Sequence, residues 1–130
     1  MEFRHDRPIY LQIVEEIERR IVRGELPPGA QISSVRELAA GLRVNPNTVQ
    51  RAYQELERRG IIFTLRGQGT YVRQDPDMVA QLRVRAAREA ARRFWAETRA
   101  LGLTPEETLA FILETGHTEN GGEGTGGNGC

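Results

Sequence analysis

Apolar residues recur along this chain at two periods, and the places where the period changes mark out its elements. Ile9, Ile13, Ile17 and Ile21, with Leu11 and Val14 beside them, fall on one face of a helix that Pro8 opens and Gly24 closes. Leu26-Pro27-Pro28-Gly29 follows as a rigid turn, and Gln31-Ile32 fits a very short strand. Ser34-Val35-Arg36-Glu37 has the S-x-x-E form of a capping box, which predicts a short second helix through Leu42. Asn45 as a cap and Pro46 at the first helical position open a third helix, with Val49, Ala52, Tyr53 and Leu56 on its apolar side and Gly60 at its end. Two β-rich runs, Ile61 to Leu65 and Thr70 to Val72, flank the turn signal Arg66-Gly67-Gln68-Gly69 and predict a hairpin.

Asp75-Pro76-Asp77 interrupts this pattern, and a different one begins. Val79, Leu82, Ala86, Ala90, Phe94 and Leu101 form the stripe of one long amphipathic helix, widened by Ala87, Ala91 and Trp95, while Arg85, Arg88, Arg92 and Arg99 line another face. Gly102 stops it. Thr104-Pro105-Glu106-Glu107 then supplies a cap, a first-position Pro and a capping-box Glu for a last helix carrying Leu109, Ile112 and Leu113. From Gly116 to Cys130 seven residues are Gly and the only apolar one is Cys130, a composition that buries too little to order itself. The expected organisation is therefore a domain over residues 1–75, a two-helix region over 76–115 and a disordered tail over 116–130, mainly α with a small β-hairpin.

Composition narrows the function. The 130 residues suffice for one small core with an attached helical piece, and leave no room for a large multi-domain enzyme. The formal net charge is zero but uneven: residues 1–75 hold 12 Arg against 10 acids, residues 76–100 hold 6 against 3, and residues 101–130 hold none against 5. All 18 basic residues are Arg, which reflects either genome composition or the use of a forked guanidinium on phosphates and guanines. A single cysteine, Cys130, leaves no internal disulfide framework or thiolate metal cluster and points to reducing cytosol. With no apolar run of 18 residues and no signal-peptide segment in Met1 to Asp6, the expectation is a cytoplasmic chain that is neither exported nor membrane-spanning. His5 and His117 lie near the ends and join no carboxylate or Ser arrangement at a catalytic spacing, so no catalytic residue, metal site or cofactor is expected.

Three short helices followed by a hairpin are the parts of a winged helix-turn-helix. Leu38, Ala39, Leu42, Val44, Val49 and Tyr53 fit two helices crossing over a tight turn, with small Ala39 allowing close approach. In such a pair the second helix enters the DNA major groove, about 12 Å wide, by its N-terminal end. Here that end is Asn45-Pro46-Asn47-Thr48, with Gln50 and Arg51 one turn on. Asn and Gln suit adenine, Arg suits guanine, and Thr suits base or phosphate. Plainer readings stand beside these: Asn45 as a helix cap, and Asn47, Thr48, Gln50 and Arg51 as solvated positions. Arg36 sits beside Glu37 on an exposed helix, yet falls where that helix would cross the phosphate backbone. At the hairpin tip Arg66 offers charge to a narrow minor groove, and Gly67 and Gly69 let backbone approach it; the plain alternative is a simple turn. A positive face formed by Arg36, Arg51, Arg58, Arg66 and Arg73 would separate a DNA binder from a winged protein-interaction module. Residues 33–73 hold 7 Arg against 3 acids, which favours nucleic acid, although charge alone does not separate DNA from RNA.

Four strings carry a resemblance: Pro8-Ile9-Tyr10-Leu11-Gln12-Ile13, Ser34-Val35-Arg36-Glu37-Leu38-Ala39, Val44-Asn45-Pro46-Asn47-Thr48-Val49-Gln50-Arg51-Ala52-Tyr53 and Gly67-Gln68-Gly69-Thr70-Tyr71-Val72. Over residues 8 to about 115 the chain resembles the GntR family of bacterial transcription regulators, and the Asn-Pro-Asn-Thr-Val-Gln-Arg-Ala-Tyr string with the short C-terminal helix pair resembles its YtrA subfamily. The resemblance implies a homodimeric repressor whose two winged domains each read half of an inverted repeat in double-stranded DNA. Its DNA-contacting positions map onto Arg36, Asn45, Asn47, Thr48, Gln50, Arg51, Arg66, Gly67 and Gln68. It also implies dimerisation through the C-terminal helices, in keeping with the stripe Val79, Leu82, Ala86, Ala90, Phe94 and Leu101, which left alone would expose Phe94 and Trp95. One helix pair cannot enclose the roughly 300 Å³ of a small-molecule pocket. Any effector is therefore expected between subunits or beside the winged domain, with Phe94 and Trp95 as candidate wall residues only, core packing being the favoured reading of both. Two departures stand out. Arg43 occupies a turn position where the family commonly has Gly, so a rearranged turn is expected if a left-handed residue there costs roughly 1–2 kcal/mol. Ser33 stands where the family usually has Pro, leaving the cap to either Ser33 or Ser34.

Overall fold

A computed structural model describes the backbone of residues 1–127 and the side chains of residues 1–119. The isoleucine stripe forms α1, Ile9–Val22, which buries Ile13, Val14, Ile17 and Ile21. β1, Gln31–Ile32, leads into α2, Val35–Leu42, and α3, Pro46–Arg58; β2, Ile62–Leu65, and β3, Gly69–Val72, form the expected hairpin. The sheet has a third member, because β1 pairs antiparallel with the far side of β3 in the order β1-β3-β2. Register sets Gln31 opposite Tyr71 and Ile62 opposite Val72. Ile61, Ile62 and Val72 close the core under α1 and α3 together with Ile32, Ala39, Val49, Ala52, Tyr53 and Leu56.

Within the winged domain Gln12 is polar yet buried. The Gln12 carboxamide donates to the carbonyls of Arg4 at 2.8 Å and Arg7 at 3.0 Å and accepts from the Arg4 N–H at 2.8 Å. These bonds satisfy the buried group and strap residues 4–7 across α1.

α4, Pro76–Ala100, starts where Asp75 Oδ1 accepts from the N–H of Asp77 and Met78. Its first turns complete the winged core: Met78 and Leu82 are buried in it and Val79 packs against it. The chain accordingly divides into compact units at Met1–Ala86 and from Ala87 onward, later than the boundary expected at residue 75. This corrects part of the dimerisation stripe. Leu82 and Val79 serve the chain's own core and Ala86 is half-buried, whereas Ala90, Phe94 and Leu101 are exposed. A helical period identifies an apolar face without saying which surface covers it.

In the second unit the later turns of α4 meet α5, Pro105–Gly127, through a turn at Gly102, whose φ is 88°. Thr104 and Glu107 form the expected capping box. The two helices share a buried polar contact, Thr108 Oγ1 donating to Thr98 Oγ1 at 2.8 Å while Thr98 donates to the Trp95 carbonyl at 3.2 Å. Leu109, Phe111, Ile112 and Leu113 are exposed, as is Leu101 at 78%. The stretch from Gly116, expected to be a structureless tail, instead continues α5 through Gly127; the rest of that expectation, Asn128 to Cys130, lies outside the described residues. A helix satisfies its backbone hydrogen bonds internally and does not require burial to do so.

Candidate nucleic-acid interface

The helix-turn-helix is built from its caps. Ser34 Oγ accepts from the Glu37 N–H at 3.1 Å and a Glu37 carboxylate oxygen accepts from the Ser34 N–H at 3.0 Å, so Ser34 is the cap. That backbone bond holds the Glu37 carboxyl below its ordinary range. The carbonyl of Ser33 has another use, accepting from the Tyr53 hydroxyl at 2.5 Å. Burial, with the Glu37 carboxylate adding to it, pushes the Tyr53 phenol up to about 12.

Between α2 and α3 the chain turns on Arg43, with φ 58° and ψ 47°. The expected rearrangement does not occur: Arg43 adopts the left-handed conformation itself, and its N–H and that of Val44 still reach the carbonyls of Ala40 and Ala39. Asn45 Oδ1 then accepts from the Asn47 N–H at 2.8 Å, and Pro46 occupies the first helical position. Asn45 is thus a helix cap, the plainer of its two readings, with its side chain still exposed. Arg36, Asn47, Gln50 and Arg51 are exposed and Thr48 is half-buried. Behind them Val49, Ala52 and Leu56 are all at 0% exposure, so the polar tip is backed by a closed apolar wall.

The arginines divide into two sets. Arg58 pairs with Glu55, and Arg59 bridges Glu55 at 2.7 Å and Glu18 at 3.1 Å. Hydrogen bonds from Arg58 and Arg59 hold the Glu55 carboxyl down at about 2. Arg58 therefore leaves the expected positive face, its charge already answered. Arg36, Arg51, Arg66 and Arg73 are exposed, and among the described residues none of them pairs with a carboxylate. Arg51 has a different partner, its guanidinium carbon lying 4.0 Å from the centroid of the Tyr10 ring. Beside that contact is a groove between the start of α1, at Pro8, Ile9 and Tyr10, and the start of α3, at Asn45, Thr48 and Arg51.

The wing tip exposes Arg66, Gly67 and Gln68. Its carbonyl at Gln68 accepts from Gln31 Nε2 at 3.2 Å and from the Tyr71 hydroxyl at 3.3 Å, so facing residues of β1 and β3 brace the turn. Gly69, with φ 132°, lies against the Gln31 amide, so a side chain there would strain the backbone and push that amide aside. Spacing alone does not mark Tyr10, Gln31 or Tyr71 as site residues. Their roles arise from contacts across the fold that no periodicity encodes. Among the described residues no group of three or more His, Cys, Asp or Glu could hold a metal ion, and no helix is long and apolar enough to cross a membrane.

The sequence pattern of "Bacterial regulatory proteins, gntR family" matches residues 9–72. An uncharacterized HTH-type transcriptional regulator of Bacillus subtilis, YhcF, is 47% identical over 85% of this chain and 92% of its own length. The HTH-type transcriptional repressor YtrA of the same organism is 36% identical over 92% of this chain and 93% of its own. Among solved structures, a GntR family transcriptional regulator from Listeria monocytogenes superposes with a TM-score of 0.78 at 42% identity, covering 86% of this chain and 98% of that one. The DNA-binding domain of AraR, solved in complex with an operator, matches at TM-score 0.50 and 32% identity over 55% of this chain and 84% of its own. With the winged fold, the exposed polar tip of α3 and these likenesses in agreement, the chain belongs to the GntR family of DNA-binding transcriptional regulators, in its YtrA subfamily.

Proposed function

We propose that the chain represses transcription by binding, as a homodimer, the two halves of an inverted-repeat operator in double-stranded DNA. Each α3 tip enters the major groove and each wing reaches the adjacent minor groove. The observation that carries this reading is the exposed tip of α3, ordered by the Asn45 cap and backed by fully buried Val49, Ala52 and Leu56. Asn47 and Gln50 are assigned to base edges, and Arg51 to base or phosphate. Thr48 and Asn45 flank them, Arg36 grips phosphate, and Arg66, Gly67 and Gln68 meet the minor groove. Support for repression comes from the YtrA relative, whose name describes a repressor, and support for an operator from the AraR complex.

Dimerisation is assigned to the exposed apolar residues of the second unit. Ala90, Phe94 and Leu101 come from the predicted stripe, joined by Leu109, Phe111, Ile112 and Leu113 of α5. A patch of this kind on a lone chain marks an interaction surface. A small-molecule effector that releases DNA would bind between subunits or beside the winged unit, with Phe94 and Trp95 as wall residues. The regulator acts in the cytoplasm, where it meets its operator.

The test starts from a duplex that the wild-type protein selects from a random-sequence pool. Asn47→Ala or Gln50→Ala should weaken binding by about 1–3 kcal/mol and relax sequence preference, whereas Arg36→Ala should weaken selected and scrambled duplexes alike and lower the salt slope by about 1. Equal losses on both duplexes for all three variants would overturn this division of roles. Preference for RNA over duplex in direct competition would overturn the DNA reading. Light scattering that gives a single-chain mass at micromolar protein would refute the dimer.

A further inference from the structure

Two arginines on α3, Arg51 and Arg58, and its C-cap Arg59 meet different fates. Arg58 and Arg59 spend their N–H groups on Glu55 and Glu18. Arg51 spends none on a carboxylate among the described residues, and its guanidinium lies over the Tyr10 ring at 4.0 Å from the centroid. We propose that Tyr10 is a positioning residue for DNA recognition, holding the Arg51 guanidinium by its face so that the N–H perimeter remains available to a base or phosphate. This rests on the reading of the α3 tip as the DNA-binding surface.

The chemistry distinguishes the two ways of fixing an arginine. A carboxylate binds the edge of the fork and consumes the donors that would recognise DNA. An aromatic ring attracts the cation through its quadrupole and occupies only the planar face. Stacking therefore orders the side chain while leaving its five donors unspent. An arginine sampling many rotamers must give them up on binding, whereas one already stacked has done so beforehand.

The platform is itself fixed. Tyr10 lies in the first turn of α1, two turns of which are anchored by buried Ile13, Val14 and Ile17, and its half-buried ring packs against the hydrophobic core. On the other side Arg51 adjoins fully buried Ala52. The groove bounded by Pro8, Ile9, Tyr10, Asn45, Thr48 and Arg51 leaves the stacked pair open to solvent, where a DNA strand can reach it. The contact links the N-terminal helix to the recognition helix, so a residue outside the helix-turn-helix sets the position of one within it.

The test is a double-mutant cycle on the full chain, using the wild-type-selected duplex and a scrambled duplex of equal length. Tyr10→Leu should weaken binding to the selected duplex about threefold to tenfold, while Tyr10→Phe, which keeps the ring face, should bind as wild type. In an Arg51→Ala background Tyr10→Leu should cost nothing further, since the group it positions is gone. Circular dichroism at the assay temperature checks that each variant is folded. Should Tyr10→Leu unfold, Tyr10→Met, which keeps bulk without a π face, takes its place with the same expected loss. The proposal is overturned if Tyr10→Leu binds as wild type, if Tyr10→Phe is as weak as Tyr10→Leu, or if the Tyr10→Leu loss persists in the Arg51→Ala background. It also falls if Arg51→Ala binds as wild type, while losses at Asn47→Ala and Gln50→Ala would still uphold DNA recognition by α3. Failure of those two variants as well would instead bring down the reading on which it stands.

Discussion

The two units of this chain solve the burial problem in opposite ways. The winged unit encloses its large apolar residues, with Ile13, Leu56, Ile61 and Ile62 all at 1% exposure or less, and turns a polar helix tip outward. The helical unit from Ala87 encloses little. Its two helices share the buried Thr98–Thr108 hydroxyl contact, while Phe94, Leu101, Leu109, Phe111, Ile112 and Leu113 remain exposed. The first unit has a core sufficient to hold a binding surface in place. The second is an apolar surface in search of cover, and the proposed second copy provides it. Stability and recognition therefore draw on different residues, and substitutions should separate them.

The largest effect is expected inside the winged core. Leu56→Ala, at a site with 0% exposure, should cost about 2–5 kcal/mol by urea unfolding. A loss below about 1 kcal/mol would mean that the core relaxes around the cavity and that the contrast between the units is weaker than drawn.

Tyr53→Phe comes next, removing the hydroxyl that donates to the Ser33 carbonyl, for about 1 kcal/mol. It carries a pH signature as well. The phenol is raised from 10.0 to about 12 in the folded chain, so its contribution is fully present below pH 10 and is lost as pH rises through about 12. Wild-type stability should fall over that window more steeply than that of Tyr53→Phe, and parallel pH profiles would refute the assignment.

Ser34→Ala should cost a similar or smaller amount, about 1 kcal/mol, because it removes one half of the α2 capping box. Arg43→Gly should act in the other direction. Relief of the left-handed residue should exceed the entropy cost of glycine and raise stability by up to about 1 kcal/mol, visible as a higher urea midpoint.

The smallest effect on stability is expected from the helical unit. Phe111→Ser with Leu113→Ser should shift the unfolding of the winged unit by no more than about 0.5 kcal/mol while converting the light-scattering mass from two chains to one. A large loss of stability without a change of mass would show that these residues pack within a single chain, and the comparison would fail.

Much of the winged unit was legible in the chain because its helices carry their punctuation locally. Ser34 with Glu37, Asn45 with Pro46, and Gly60 mark the limits of α2 and α3 through hydrogen bonds or backbone angles spanning only a few residues. The exposed residues of the candidate site follow from the same local logic, since Asn47, Gln50 and Arg51 lie off the apolar face that Val49, Ala52, Tyr53 and Leu56 define. Contacts between distant segments were harder to read. Gln12 presents itself in sequence as a polar break in an apolar stripe, and only the strap formed by Arg4 and Arg7 explains its burial. Val79 and Leu82 belong to a stripe that the pattern treats as continuous, yet the winged core claims its first turns. Arg58 looks as available as Arg36 until Glu55 is found beside it.

The sequence alone determined where α1, α2 and α3 begin and end, which faces are apolar, and that a polar helix tip follows a tight turn, because each depends on neighbours within about one or two helical turns. The tertiary structure decided what covers each apolar face, which arginines keep their donors, and which ring meets Arg51. Those outcomes depend on side chains brought together from distant parts of the chain, and no local period records the meeting of Tyr10 with Arg51 or of Gln31 with the wing tip.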